Sequence, residues 1–230
     1  MPVRHPDRPP SLVFANSAGE ILDYPGLQMA GSSCGRFVLP TPADLIELPA
    51  GSDLFVLPGR LPVGMHPDTG AAEILESDPY GGAAPQAVAA FMAPAHTAIL
   101  SAAYQTSDNA PLLPLFAYSA VGWHRGKFWV AGFRADQDRR QDAAGFPQER
   151  INRRTRAMLK KHQANRLIQH LGKCCLTYGC PAARNYFLGR WEAPLPTSPA
   201  CNAACVGCIS LQPSGCCPAT QDRIKFVPTP

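Results

Sequence analysis

The sequence predicts an α+β protein with a sheet-rich N-terminal domain, one long basic helix and a cysteine-rich C-terminal segment. Three observations support this prediction. Short runs of β-branched and aromatic residues, separated by turn residues, fill the chain up to residue 142. One helical pattern follows, and eight of the nine cysteines lie after residue 173. With 230 residues, the chain is long enough for one or two domains with a sizeable core.

The N-terminal residues 1–10 are polar and rich in proline, and we expect them to form a disordered arm. They contain no apolar segment of the kind found in secretion signals. No apolar run in the chain approaches the ~18 residues that a membrane span requires. Nine cysteines in a chain of this kind favour metal ligation in a reducing compartment over disulfides. We therefore expect a cytoplasmic protein with no membrane partner.

Residues 11–142 are predicted to form the β-rich domain. The expected strands are 12–15 and 20–23 around a turn at 16–19, then 36–39, 53–57, 95–104 and 112–119, with a short helix at 84–92. The clearest signal is a hairpin, in which the apolar runs 120–123 and 127–133 flank a turn that contains Gly126. Cross-strand packing is the simplest interpretation of Trp123, Phe128 and Trp129, and a ligand groove is the alternative.

Three isolated residues in this domain carry reactive groups. Cys34 stands alone, and a lone cysteine is more often a small buried hydrophobe than a ligand. His66 and Asp68 lie close together in a polar loop over residues 64–82. Because no third catalytic partner accompanies them, we interpret them as loop residues.

A charged run at 136–142 marks the expected domain boundary, and residues 143–190 are predicted to be a helical connector with a cysteine-rich end. Its helix is predicted from Pro147 to Leu171, because proline suits a first turn and Gly172 a helix stop. The expected apolar stripe is Ala157, Ala164, Ile168 and Leu171. The surrounding basic residues are Arg150, Arg153, Arg154, Arg156, Lys160, Lys161, His162 and Arg166.

The simplest interpretation of these basic residues is a solvated helix face. Binding to phosphates or nucleic acid, or to an acidic surface of a partner domain, is the alternative. The formal charge of the whole chain is only +4, which argues against a nucleic-acid partner.

The most specific motif in the chain is Cys201, Cys205 and Cys208, spaced Cys-x3-Cys-x2-Cys in a loop of small residues. Three thiolates at this spacing can converge on one metal centre. They suit a [4Fe–4S] cluster with one open iron, since such clusters normally take four thiolates. Structural zinc is the alternative, although zinc usually uses two Cys-x2-Cys pairs and only Cys205 and Cys208 form one here.

The motif resembles the signature of the radical SAM (S-adenosylmethionine) superfamily, and residues 191–230 are similar to an uncharacterised bacterial branch of it. The resemblance implies that the three cysteines ligate a [4Fe–4S] cluster whose open iron binds S-adenosylmethionine. It implies reductive cleavage of that cofactor to a 5'-deoxyadenosyl radical, and an electron donor such as a flavodoxin or ferredoxin. The sequence does not identify the substrate. Gly207 stands where many members carry an aromatic residue near the adenine.

The resemblance also implies that residues 191–230 begin a (β/α) barrel. Only 22 positions follow Cys208, which is too few for the remaining units of a barrel of roughly 200 residues. We therefore expect the chain to be the N-terminal fragment of a longer enzyme, with the rest of the barrel supplied in trans. Whether the chain is catalytically active alone stays open.

A second group of cysteines is the candidate for an auxiliary site. Its members are Cys174, Cys175, Cys180, Cys216 and Cys217. They form two segments, each with a Cys-Cys doublet and a Cys-Pro step, and that step also ends ferredoxin ligand runs. Four of them are expected to hold a second iron–sulfur cluster, with inert thiols or structural zinc as the alternatives. For the whole C-terminal segment, the rival hypothesis is a non-catalytic structural module that binds zinc or an iron–sulfur cluster.

Overall fold

The computed structural model describes residues 5–113, 118–177 and 179–190. The chain divides into two compact units, one made of residues 1–112 and 117–139 and the other of residues 113–116 and 140–230. We call them the sheet unit and the helical unit. In the described residues the strands belong to the first unit and the three α-helices to the second, so the predicted α+β class is confirmed.

All strand pairings in the described part of the sheet unit are antiparallel. In chain order the strands are β1 (Ser11–Ala15), β2 (Ile21–Met29), β3 (Gly31–Ser33), β4 (Arg36–Val38), β5 (Leu45–Glu47), β6 (Asp53–Leu57), β7 (Arg60–Met65), β8 (Ala72–Ile74), β9 (Gln86–Phe91), β10 (His96–Ala98), β11 (Ser101–Ala102), β12 (Tyr104–Thr106), β13 (Val121–His124) and β14 (Lys127–Arg134).

The larger sheet of the described residues has the strand order β10-β14-β13-β1-β2-β7-β12. In addition, β5 pairs with β14, β9 with β1, β6 with β9, and β8 with β7. Strand β1 is central, because β2 covers one of its edges while β13 and β9 share the other. The remaining strands form a small sheet in the order β11-β3-β4.

The registers around β1 bring several polar and aromatic residues to one face. Ser11 pairs with Trp123, Val13 with Asp23, and Trp123 with Phe128. Directly opposed residues and alternate residues of one strand lie on the same face of a sheet. These five side chains therefore share a face, and they line the two cavities described below.

The N-terminal segment is not the disordered arm that the sequence predicts, at least from residue 5 onward. Pro10 is fully buried, and its carbonyl accepts a hydrogen bond from the Met29 amide at 2.8 Å. The side chain of Asp7 pairs with the β13–β14 turn. Proline-rich composition suggested disorder, but a fixed proline loses little entropy when the sheet covers it.

The helix predicted at residues 84–92 is wrong, because this segment is strand β9. Its residues Ala87, Val88, Ala89 and Ala90 are all buried. β9 pairs with β6 over five residues and with β1 at its start. Alanine has a high helix propensity, but a small residue also fits where a strand is covered on both faces. Tertiary pairing therefore decides the conformation.

The helical unit contains α1 (Gln148–Lys161), α2 (Arg166–Thr177) and α3 (Pro181–Leu188) in its described part. The prediction of a single helix from Pro147 to Leu171 is therefore wrong, because α1 ends at Lys161 and a second helix begins at Arg166. Asn165 starts the second helix by accepting a hydrogen bond from the Ile168 amide at 3.1 Å. An asparagine at this position is a favourable helix N-cap, and the sequence analysis overlooked it.

Gly172 is a helix interior residue and not the predicted stop. It lies within α2 and is buried against α1. A Cβ atom added there would lie only 2.5 Å from Leu159 Cδ2. The glycine therefore permits close approach of α1 and α2, and α2 continues through Cys174 and Cys175.

The core of the helical unit lies between its three helices. Its buried members are Ile151, Ile168, Leu171, Cys174, Cys175, Ala183, Phe187 and Leu188. Of the predicted apolar stripe, Ile168 and Leu171 are buried, whereas Ala157 and Ala164 are exposed. Helix α3, which the sequence analysis did not predict, begins with Pro181 at its first turn and ends at Gly189 in the left-handed conformation, with φ of 71°. Both are regular helix-end signals.

None of the helices in the described part of the chain has the length and apolar character needed to span a membrane.

Candidate functional site

Some of the cysteines predicted to bind metal lie among the described residues, and the others lie outside them. Cys201, Cys205 and Cys208 lie outside the described residues, as do Cys216 and Cys217. Cys174, Cys175 and Cys180 are described, and all three belong to the helical unit.

Cys175 is a core residue of the helical unit. Its side chain is 1 % exposed, and its Sγ lies 3.4 Å from the Thr155 hydroxyl of α1, which is also fully buried. Burial raises the pKa of the Cys175 thiol, and the Thr155 hydrogen bond opposes this only in part. The protonated thiol is therefore favoured at neutral pH, as expected for a structural cysteine.

Cys174 and Cys180 lie at neighbouring positions around the α2–α3 connection. The Sγ atom of Cys174 lies 3.6 Å from His170 Nε2, one turn earlier on α2. The Cys180 amide donates to the Cys174 carbonyl at 3.2 Å, and Cys180 is the residue that precedes α3. Its side chain is only partly buried.

The described thiols do not by themselves form a metal site. Among the residues that the structure describes, no group of three or more His, Cys, Asp or Glu side chains is arranged to hold a metal ion. The auxiliary cluster was predicted to need four of the five cysteines, and two of these lie outside the described residues. It therefore stays a prediction.

A groove in the sheet unit is the second chemically rich region. It has a cavity volume of about 400 Å³. Its lining includes Ser11, Asp23 and Trp123 of the sheet, together with Arg8 and Arg125. A smaller cavity of about 170 Å³, lined by Val13, Ile21, Leu22, Asp23, Trp123 and Phe128, shares Asp23 and Trp123 with the groove.

The buried side chain of His124 lines this groove and bonds to the N-terminal residues Asp7 and Arg8. The side chain of His124 is 4 % exposed, and its Nε2 lies 2.6 Å from Asp7 Oδ1. Arg8 Nε donates to His124 Nδ1 at 3.5 Å, so Nε2 is the nitrogen that carries a proton toward Asp7. The other Asp7 oxygen pairs with Arg125 at 2.7 Å.

The hydrogen bond from His124 lowers the pKa of Asp7, and the charge of Arg125 adds to this effect. The N-terminal segment is thus tied to the β13–β14 turn by one carboxylate. Chemically, the groove offers guanidinium groups, the Asp23 carboxylate and an aromatic ring.

The predicted hairpin is confirmed and contributes to both cavities. Trp123 and Phe128 pack edge to face with ring centroids 4.6 Å apart, as cross-strand packing predicts. Trp129 is buried and donates from its Nε1 to the His124 carbonyl at 3.3 Å. Trp123 also borders the groove, and the ligand groove stays a prediction.

The three isolated residues of the sheet unit, Cys34, His66 and Asp68, all lie in turns. The Asp68 amide donates to His66 Nδ1 at 3.2 Å within the turn that connects β7 and β8. The prediction that Cys34 is buried is wrong, because it is exposed with φ of 49° in the β3–β4 turn. Gly35 follows it, as Gly126 follows Arg125, and both hairpin turns have positive φ at two successive residues.

Sequence reasoning missed Asp7, Arg8, His124 and Arg125 as a group. Their contacts join positions that are more than 110 residues apart in the chain, and no local spacing signals them. The sequence contained one signal for this group. Arg125 occupies the first position of a two-residue hairpin turn, where asparagine is more usual.

No protein-family model, curated protein or solved structure matches the chain significantly.

Proposed function

We propose that the chain is a radical SAM family protein that binds a [4Fe–4S] cluster through Cys201, Cys205 and Cys208. The observation that carries this proposal is the Cys-x3-Cys-x2-Cys spacing of these thiols. The donor set fits the cluster in chemistry and number, since iron–sulfur clusters are held by thiolates and three ligands leave one iron open. When bound, such a cluster would supply the electron that cleaves S-adenosylmethionine to methionine and a 5'-deoxyadenosyl radical.

The distribution of thiols between the two units supports a dedicated metal-binding region. The sheet unit contains one cysteine, Cys34, and the remaining eight belong to residues 140–230. None of the four cysteines in the described residues forms a disulfide. A reducing, cytoplasmic location is part of the proposal, because thiolate ligands need to stay reduced.

We further propose that residues 191–230 begin the barrel of such an enzyme. A flavodoxin or ferredoxin is the class of electron donor that the proposal requires. The substrate is chosen by groups that this sequence does not identify.

The proposal is tested by anaerobic reconstitution of the full chain with iron and sulfide, followed by quantification of iron, acid-labile sulfide and zinc per chain. We expect the wild-type protein to take up iron and sulfide in equal amounts. The triple variant Cys201→Ala, Cys205→Ala, Cys208→Ala is expected to lose that cluster. The Cys34→Ala variant is the matched control, because it removes an exposed thiol from the other unit, and we expect no loss.

A non-catalytic metal-binding module is the second candidate. The observation that favours it is the Cys-x2-Cys pair Cys205 and Cys208, which is one half of a structural zinc site. Zinc bound without sulfide, and lost in the triple variant, would support this candidate and contradict the first. Iron with acid-labile sulfide in the wild type, in amounts reduced in the triple variant, would support the first candidate over a zinc site.

A further inference from the structure

The helical unit carries a large excess of positive charge. Residues 140–230 contain 13 Lys and Arg and four Asp and Glu, which gives a formal charge of +9. Residues 1–139 contain eight Lys and Arg and 13 Asp and Glu, which gives −5. The whole-chain value of +4 hides this difference. A charge asymmetry between the two halves of a chain is typical of proteins with a polyanionic partner.

Much of the excess lies on one side of α1. We call this surface the basic face, and it consists of Arg150, Arg153, Arg154, Arg156, Lys160 and Lys161. All six side chains are exposed. The only acidic residue of α1 is Glu149, in its first turn. Within the part of the chain that the structure describes, none of the six makes an ion pair or a side-chain hydrogen bond.

The basic face is extended along α1, and the exposed Glu149 lies on the same side of the helix at its start. At 3.6 residues per turn and 1.5 Å per residue, its members lie within an arc of about 160° and span about 16 Å along the helix axis. The opposite side of α1 contains Ile151 and Thr155, which are fully buried. Like charges three and four residues apart, such as Arg150 with Arg153 and Arg154, destabilise a helix. The arrangement therefore opposes folding, and a bound polyanion would relieve the repulsion.

The surroundings of the basic face distinguish between polyanionic partners. A protein partner usually needs apolar or aromatic anchors, but none of the exposed large hydrophobic residues in the described chain belongs to α1. Binding to a membrane surface needs an exposed apolar helix face, whereas Ile151 and Thr155 are covered by α2 and α3. A phosphate backbone needs only cations, and arginine matches phosphate geometry particularly well.

We propose that the basic face of α1 binds the phosphate backbone of a double-stranded nucleic acid without reading its base sequence. Each strand of a DNA duplex carries one phosphate per ~3.4 Å along the axis, so 16 Å of helix spans about five phosphates of one strand. That number is close to the six cations available. Phosphate contacts position a protein and carry no sequence information. The proposal goes beyond the iron–sulfur function and does not depend on it.

The test uses the full chain with reduced thiols and no cluster. Fluorescence anisotropy measures its binding to a 20-base-pair DNA duplex and to an RNA duplex of the same length, between 50 and 200 mM salt. We expect binding that weakens steeply with salt. The double variant Arg153→Gln, Lys160→Gln is expected to bind about tenfold more weakly, with a log–log salt slope smaller by about two.

Two further variants distinguish a loss of binding contacts from a loss of folded protein. Arg36→Gln, Lys127→Gln removes the same charge from exposed positions of the sheet unit, and binding is expected to change less than twofold. Ala157→Lys adds a cation at an exposed position in the middle of the basic face, and we expect it to tighten binding about threefold. Loss of folded protein cannot produce that gain.

Binding to either duplex with these variant effects supports the proposal, and the preferred duplex identifies the nucleic acid. The proposal is overturned if neither duplex binds at 50 mM salt, or if only anionic vesicles or polyglutamate bind. It is also overturned if the basic-face variants bind like the sheet-unit control. None of these outcomes bears on whether Cys201, Cys205 and Cys208 hold a cluster.

Discussion

The sheet unit and the helical unit differ in the ion pairs that their charged side chains form. In the sheet unit, Asp7 pairs with His124 and Arg125, and Lys127 pairs with Glu47 at 2.6 Å. In the helical unit, the six cations of the basic face have no ion-pair partner within the described residues. Eight of the nine cysteines also belong to that half of the chain. We therefore propose that the helical unit, which includes the cysteine motif, contains the functional chemistry.

The largest expected effect is on the core of the helical unit. Ile151 is fully buried between the helices, and Ile151→Ala would leave a cavity. We expect it to lower the free energy of unfolding by about 2–5 kcal/mol. Urea denaturation followed by circular dichroism at 222 nm measures the loss, because the described helices all belong to this unit.

Leu176→Ala is the matched control for Ile151→Ala. Leu176 lies on α2 but is 38 % exposed, so its truncation removes little buried surface. A loss for Ile151→Ala no larger than that of the control would mean that the helical unit has no packed core of its own. The comparison between the units would then fail.

The next effect concerns the close contact of α1 with α2. The variant Gly172→Val places a side chain against Leu159, and we expect it to destabilise the protein by about 1–3 kcal/mol through overpacking. Lys173→Val introduces the same residue at the neighbouring exposed position and serves as control. Equal denaturation midpoints for the two variants would contradict the close helix contact.

The auxiliary site gives a prediction about metal content. Cys180 and Cys217 are taken from the two Cys-Pro segments, and each is expected to be a ligand of the second cluster. In each of the variants Cys180→Ala and Cys217→Ala, we expect the iron bound after reconstitution to fall by roughly half, since one of two clusters is lost. Unchanged iron and zinc in both variants would eliminate the auxiliary site, and the thiols would be inert.

The smallest expected effect is on the pH dependence of the sheet unit. The His124 hydrogen bond lowers the pKa of Asp7 below 3.8, so the stabilisation exists above that pH and is lost as the pH falls through the folded-state value. The Asp7→Asn variant should therefore be less stable than wild type at pH 6, and the difference should shrink toward pH 3. Urea midpoints across this range provide the measurement. A difference that persists unchanged at pH 3 would show that the charge of Asp7 plays no part.

Local patterns predicted much of the sheet unit. The strands at 12–15 and 53–57 and the hairpin around Gly126 follow from β-branched and aromatic runs between turn residues, and all are present. Strand β9 was mistaken for a helix because the alanines of 87–90 favour helices in isolation. Only the pairing of β9 with β6 and β1 decides its conformation, and such pairing between distant segments has no local signal.

In the helical unit, fewer features could be predicted from the local sequence. Its helical character was predictable, but the break before Arg166 and the packing role of Gly172 depend on how α1 contacts α2. The lining of the groove in the sheet unit depends on contacts between Asp7 and His124 across most of that unit. For the cysteine motif, in contrast, the residue spacing carries the whole prediction, and the described structure adds only the environment of Cys174, Cys175 and Cys180.

The most direct measurement is electron paramagnetic resonance of the reconstituted, reduced protein with and without S-adenosylmethionine. We expect a [4Fe–4S] signal that shifts when the cofactor is added, because an open iron would bind it. The triple variant of Cys201, Cys205 and Cys208 should lack this signal. A wild-type signal that does not respond to S-adenosylmethionine, or a triple variant whose signal still shifts with S-adenosylmethionine, would contradict the proposed function.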